Sequence, residues 1–199
     1  MNARDPIEMV EDTLSVKDAI QHLAQYYKIC PEEYIVLDRA GLESKIPHRD
    51  IALCLDFGFI PLNKDSFHAI GVSYIHDDSP ELTGHFPGKK ILPGHWIEEK
   101  MNLTAALLTN RLMPEGKNGR TYLPMITKTH EKTFLRSISP VSIVAVMAQY
   151  LPEGQRFQVG NNVVESVSKQ RPIFSASVYV NGISCAEACF SAILKPIRG

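Results

Sequence analysis

The fold of this chain is decided by the stretch Thr83–Met101, whose sequence is TGHFPGKKILPGHWIEEKM. Two Pro-Gly pairs, Pro87-Gly88 and Pro93-Gly94, are strong signals for turns. The run 95–112 then contains no glycine or proline, and its apolar residues recur at helical spacing, at Ile97, Met101, Ala105 and Leu108. The stretch therefore predicts two turns followed by a long helix that is largely buried.

A histidine and a carboxylate mark this stretch as a candidate site. Glu99 lies on the predicted helix, and His85 precedes the first turn. Burial disfavours a charged carboxylate, so a carboxyl group on such a helix can serve as a proton donor. A histidine can accept a proton near neutral pH. The pair indicates general acid–base chemistry, although spacing alone favours the simpler interpretation that the two side chains never meet.

Composition limits the class of protein. The 199 residues are 44% apolar and carry a formal net charge of −1, which is typical of one domain with a core and argues against nucleic acid as a partner. We expect no membrane span and no secretory leader, hence a cytoplasmic location. The four cysteines and seven histidines show no metal-binding spacing, so we expect reduced thiols and no metal.

The chain is predicted to begin with an N-terminal extension, residues 1–42, ahead of a single domain at 43–199. Residues 1–12 resemble a mobile tail, and Ser15 begins an amphipathic helix. We interpret this extension as a packing element rather than a lid or a docking helix. The segment 33–37 fits either a short strand or an extended connection.

Strands are predicted on both sides of the long helix. A nearly continuous apolar run, 141–150, indicates the centre of a sheet, and Asn181-Gly182 indicates a tight hairpin. The arrangement is an α+β fold. The predicted strands are 51–57 and 66–75 before the helix, with a turn at Gly58 and 61–65, and 121–126, 141–150, 157–168, 171–180 and 184–194 after it.

Three motifs in order resemble the 3-hydroxyacyl-[acyl-carrier-protein] dehydratases. The first is Gly-His-Phe-Pro-Gly at 84–88, followed by Leu-Pro-Gly at 92–94 and then by Glu99. The second is Ile-Pro-His-Arg at 46–49, and the third is the hairpin at 180–188. Together they cover roughly residues 43–195, and three collinear motifs are more specific than one.

The resemblance implies a hotdog fold, in which a curved antiparallel sheet wraps around the long helix. It also implies a homodimer in which His85 of one subunit is the base and Glu99 of the other is the acid. The Gly94 amide would hold the charge on the thioester oxygen, aided by the helix dipole. His48 and Arg49 would be structural. Glutamate at the acid position resembles the branch that dehydrates without isomerising.

The resemblance further implies a substrate carried on the phosphopantetheine of acyl carrier protein, with no other cofactor. The predicted substrate-binding residues are Gly94, Phe86, His95 and Trp96, of which Phe86 fits a packing anchor better than a substrate contact. Lys90, His95, Trp96 and Leu103 depart from the family pattern, and this affects the identity of the acyl group more than the reaction. The candidate docking cations are Lys89, Lys90, Arg111, Lys117, Arg120, Lys128, Lys132 and Arg136.

Two alternatives stay open. A thioesterase on the same fold would use a carboxylate to activate water, but it would lack the His-Phe-Pro-Gly turn. A non-catalytic subunit that binds acyl carrier protein or a heterodimer partner would account for the departures, but it would have no chemical need for His85 and Glu99.

Overall fold

A computed structural model describes residues 14–83, 88–112, 121–159, 162–166, 168 and 171–197 of the chain. It contains an antiparallel sheet and a buried helix, which confirms the predicted α+β class. The α-helices are α1 (Val16–Tyr27), α2 (Arg39–Lys45), α3 (Gly94–Ala106) and α4 (Thr109–Leu112). Short 3₁₀ turns lie at Pro31–Glu33, Asp50–Ala52 and Pro80–Leu82.

Seven strands form the main sheet, in the order β1-β2-β3-β5-β8-β9-β4. The fourth position belongs to β5, which confirms the prediction that the apolar run near 141–150 is central. A separate hairpin pairs β6 with β7. The strands are β1 (Tyr34–Leu37), β2 (Phe57–Pro61), β3 (His68–Ile75), β4 (Thr121–Phe134), β5 (Ser142–Leu151), β6 (Arg156–Val159), β7 (Asn162–Glu165), β8 (Ile173–Val180) and β9 (Ile183–Ile197).

The sheet curves around α3. This helix contacts β3, β5, β8, β9 and β4, which are five adjacent strands. Laid flat, five strands would span about 19 Å, whereas a helix with its side chains is only about 10 Å wide. One helix can touch all five only if the sheet bends towards it. We call this side of the sheet the helix face.

The opposite side, which we call the outer face, carries α1. Ala19 and Leu23 of this helix are buried with Phe59, Ile70 and Val72 of the sheet. The helix begins where predicted, because the Ser15 hydroxyl accepts a hydrogen bond from the Asp18 amide at 3.1 Å.

The described part of the N-terminal segment contributes a strand to the sheet. Strand β1 pairs with β2 and forms one edge, which resolves the segment 33–37 as a strand. The boundary predicted at residue 42 lies within α2. The division into an extension and a domain stays a prediction.

The hairpin prediction is confirmed. Asn181 and Gly182 connect β8 to β9 with φ values of 49° and 77°. Both angles are positive, as the turn type favoured in two-residue hairpins requires.

The strand predicted at 51–57 is wrong. Residues Asp50–Ala52 form a 3₁₀ turn, the chain then runs extended outside the sheet, and β2 begins only at Phe57. Side chains take the place of strand partners here: Arg39 Nη1 donates to the Leu53 carbonyl, and Lys100 Nζ donates to the Cys54 carbonyl. Gly58, predicted as part of the turn, is a strand residue paired with Gly71.

Within the described ranges, no helix is both long enough and apolar enough to cross a membrane.

Candidate active site

Helix α3 begins at the predicted position, directly after the second Pro-Gly turn. Pro93 occupies the N-cap position of the helix. Its carbonyl accepts hydrogen bonds from the amides of Trp96 and Ile97. The amides of the first turn lack intrahelical acceptors and lie at the positive end of the helix dipole. The Gly94 amide is therefore oriented as an oxyanion donor would need to be.

Packing gives Gly94 a reason to be glycine that the sequence did not reveal. A Cβ atom there would lie 2.9 Å from Cζ of Phe134, whose ring covers the start of the helix. Such a distance forces the ring to move. Trp96 packs against the main core, whereas His95 is exposed, as the interpretation of an outward-facing His95 predicted.

The two adjacent carboxylates of α3 have different partners. Glu98 accepts from Lys132 Nζ at 2.7 Å and from Thr129 Oγ1 at 3.3 Å, both on β4. Glu99 Oε1 instead lies 3.7 Å from Nε2 of His48, and each of these two side chains is 33% exposed. Lys132 therefore neutralises Glu98, and Glu99 is the carboxylate that faces an imidazole.

The turn that carries His48 is held by Arg49. Its guanidinium donates to the carbonyls of Ile46, His48 and Glu43 at 2.8–2.9 Å. These contacts confirm the expectation that Arg49 satisfies main-chain carbonyls. Among the described residues, His48 Nδ1 is buried without a hydrogen-bond partner, so Nε2 is the nitrogen presented to Glu99.

The predicted base, His85, and its neighbour Phe86 lie outside the described residues. The roles predicted for them stay predictions. His68 is bonded to the Tyr34 hydroxyl at 2.9 Å and shares the outer face with Ile70, on the side of the sheet opposite α3. Because of that position, His68 is not an alternative to His85 as the base that works with Glu99.

Next to Glu99, the helix buries a lysine. Lys100 is 1% exposed, and its ammonium donates to Glu81 Oε1 at 2.9 Å and to the Cys54 carbonyl at 2.7 Å. Burial raises the pKa of the Cys54 thiol to about 12, so this thiol is protonated. The acceptor for Lys100 is the main-chain carbonyl of Cys54.

An exposed ion pair brackets the His-Phe-Pro-Gly segment. Lys90 Nζ donates to Asp77 Oδ2 at 2.6 Å and to the Asp77 carbonyl at 2.9 Å. This contact gives the departure at Lys90 a local role. Lys90 is thus paired with Asp77, and Lys132 is paired with Glu98. The two lysines are therefore weaker docking candidates than the exposed Lys89. The side chains of Arg111, Lys117 and Arg120 lie outside the description.

Sequence reasoning missed two features, the approach of His48 to Glu99 and the burial of Lys100. The first had no signal, because 51 positions separate two residues that meet only in the folded chain. The second had one: Lys100 falls on the helical stripe of Leu103 and Leu107, where a charge demands a partner. No cluster of three potential metal ligands is found among the residues that the structure describes.

No family model matches the chain. The chain is 28% identical over 162 residues to a 3-hydroxyacyl-[acyl-carrier-protein] dehydratase FabZ of Rickettsia akari, which covers 81% of this chain and 98% of that protein. The corresponding protein of Rickettsia canadensis is 28% identical over 160 residues, covering 80% and 98%.

Among solved structures, the dehydratase heterocomplex ApeI:P of Xenorhabdus doucetiae superposes with a TM-score of 0.56 at 14% identity, covering 77% of this chain and 90% of the matched chain. This likeness concerns the fold, and it agrees with the curved sheet around α3. The chain is therefore a hotdog-fold protein, distantly related in sequence to bacterial 3-hydroxyacyl carrier-protein dehydratases.

Proposed function

We propose that the protein dehydrates a (3R)-3-hydroxyacyl thioester carried on acyl carrier protein to the trans-2-enoyl thioester, in fatty-acid or related polyketide or polyene biosynthesis. The observation that carries the proposal is the arrangement on α3. Glu98 is neutralised by Lys132, while Glu99 stands next to an imidazole, one turn after the Gly94 amide. The sequence similarity to dehydratases over four-fifths of the chain supports the same reaction.

The proposed chemistry needs a base, an acid and an oxyanion donor. His85 takes the C2 proton, and Glu99 protonates the C3 hydroxyl so that it leaves as water while the C2–C3 double bond forms. The Gly94 amide stabilises the charge that develops on the thioester oxygen. His48, at 3.7 Å, orients the Glu99 carboxyl group.

The assembly that we propose is a homodimer in which His85 of one chain works with Glu99 of the other. Phosphopantetheine of the carrier protein delivers the substrate, with no further cofactor. Phe86, His95 and Trp96 stay the proposed substrate contacts, and exposed Lys89 is the foremost docking cation for an acidic carrier. The cytoplasmic location stays a prediction.

Turnover of 3-hydroxyacyl thioesters by the wild type, His85→Ala, Glu99→Gln and Glu98→Gln tests the proposal. We expect losses of about 10²–10⁴-fold for His85→Ala and Glu99→Gln, because each removes a proton-transfer group. Glu98→Gln is the matched control, since its carboxylate is already paired, and it should stay within about threefold of wild type.

His48→Asn separates the two histidines. We expect a loss of about tenfold in turnover, as for a residue that orients the acid. Full activity in His85→Ala together with collapse in His48→Asn would assign the base to His48. A wild type inactive on every acyl length would instead favour a non-catalytic subunit.

A further inference from the structure

Lys100 is a described feature of the site region that neither packing nor the proposed chemistry explains. Lysine is almost never fully buried unless it is paired. Here the side chain is 1% exposed, and two of its three donors meet Glu81 Oε1 and the Cys54 carbonyl. Glu81 is itself only 9% exposed. Both charges are therefore removed from water.

The ammonium joins three segments that each carry or lead to a site residue. Lys100 follows Glu99 on α3. Glu81 belongs to the turn Pro80–Leu82, from which the chain runs through Thr83 towards His85. Cys54 lies on the extended segment between the turn that bears His48 and strand β2. One side chain thus fixes the relative positions of the segments next to Glu99, His85 and His48.

Stability alone does not account for such a pair. Replacing a buried ion pair by apolar residues of similar volume is often neutral or stabilising, because desolvation of the charges offsets their attraction. The cavity beside the pair is lined by apolar side chains such as Ile51 and Leu53 and by polar ones such as Asp56 and Ser73. An ion pair differs from an apolar contact in that its atoms are directional and define one relative placement.

We propose that the buried Lys100–Glu81 pair is a positioning device that holds the segment leading to His85 against the helix that carries Glu99. The inference rests on the dehydratase function proposed above. Neither residue touches the substrate. Each acts through the placement of the base and the acid, and a misplacement of about 1 Å can cost about 10²-fold in rate.

The test compares four proteins: wild type, Lys100→Met, the double variant Glu81→Leu/Lys100→Met, and Arg156→Met. The single variant leaves Glu81 buried and unpaired, so its melting temperature should fall by about 10 °C. The double variant removes both charges and should melt within a few degrees of wild type. Arg156→Met is the control, because it breaks an exposed ion pair with Glu165 on the β6–β7 hairpin, outside the main sheet.

For each protein, kcat, KM and the melting temperature are measured. We expect kcat of the double variant to stay at least tenfold below wild type with KM changed by less than about threefold, while Arg156→Met keeps kcat within about threefold. A folded double variant with wild-type kcat would overturn the inference, because the pair would then be interchangeable with apolar packing.

Amide hydrogen exchange of the same proteins decides the question without activity. In the double variant, exchange at residues 77–83 and 88–93 should accelerate about tenfold, while β5 stays as protected as in wild type. Unchanged exchange in both segments would refute the positioning role. If the wild type shows no turnover, the proposed function fails, whereas the exchange result still decides for or against the pair.

Discussion

The two long helices pack on opposite faces of one sheet, and they differ in which of their residues are buried. On the helix face, α3 buries most of its second half, including Lys100 and Thr104. On the outer face, α1 buries only the side formed by Ala19, His22 and Leu23. Polar groups on α3 are bonded: Lys100 meets Glu81, and Thr104 Oγ1 donates to the Lys100 carbonyl at 2.7 Å.

The outer face instead holds an imidazole without a described partner. His22 is 3% exposed, its Nε2 has no hydrogen bond among the described residues, and burial lowers its pKa to about 4. The difference indicates two ways to bury a titratable group. A lysine on the helix face is buried with hydrogen-bond partners, whereas a histidine on the outer face is buried with no described partner for its Nε2 and has a lowered pKa. Only the helix face adjoins Glu99, so we expect changes there to alter both stability and catalysis.

The largest effect is expected at Gly71, where the sheet touches α3. A Cβ atom there would lie 2.2 Å from Thr104 Oγ1 and 3.0 Å from Leu55 Cδ2. Gly71→Ala should therefore lower the free energy of unfolding by about 3 kcal/mol or more and reduce turnover, because the helix must shift. Denaturant titration checks the stability.

Ser73→Ala is the control on the same strand, because the buried Ser73 hydroxyl lacks a partner in the described part of the chain. Its removal should cost less than about 1 kcal/mol. A Gly71→Ala protein as stable as wild type would contradict the close contact between sheet and helix.

A smaller, pH-dependent effect is expected at His22. Its folded pKa of about 4 lies below the ordinary value of 6.5, so the unfolded chain binds more protons between these values. The stability that the neutral imidazole contributes is fully present above pH 6.5 and is lost as the pH falls through 4. The loss in the free energy of unfolding is about 2 kcal/mol at pH 5. Unfolding of wild type and His22→Leu from pH 7.5 to 4.5 measures this loss.

The variant removes the imidazole, so its stability should fall less steeply with acid. Turnover of His22→Leu at pH 7.5 should equal that of wild type, because α1 lies on the outer face. Parallel stability curves for the two proteins would show that His22 is not buried as a neutral group.

The smallest effect is expected at the start of α1. Ser15→Ala removes the hydroxyl that caps the Asp18 amide and should cost about 1 kcal/mol without changing turnover. Ser44→Ala in α2 is the control, since its hydroxyl donates to the Gly41 carbonyl within an exposed turn. Thermal unfolding distinguishes the two, and equal melting temperatures for both variants would argue against the cap.

The elements with local signals were predictable from sequence. The turn and helix around Gly94, the cap at Ser15 and the hairpin at Asn181 depend on residues close together in the chain. The prediction for segment 51–57 was wrong because a short continuous run of apolar residues is typical of a strand. Their carbonyls instead bond to Arg39 and Lys100, and no local pattern shows that competition.

The candidate site divides in the same way. The placement of Glu99 and Gly94 on helix α3 could be predicted because a sequence motif surrounds them. The partners of the carboxylates could not, since Lys132 reaches Glu98 and His48 reaches Glu99 only through the curvature of the sheet and the turn at Arg49.

The pairing of Gly58 with Gly71 determines the direction of a distant side chain. The two glycines lie opposite each other on β2 and β3 and leave a shallow depression in the sheet, into which Leu107 and Thr104 fit one turn apart. Successive residues of an α-helix are related by a rotation of about 100°. If the residue next to Thr104 faced this depression instead, the helix would be rotated by that angle and Glu99 would point away from His48. The direction of the Glu99 side chain therefore depends on two sheet positions, Gly58 and Gly71, that carry no side chain.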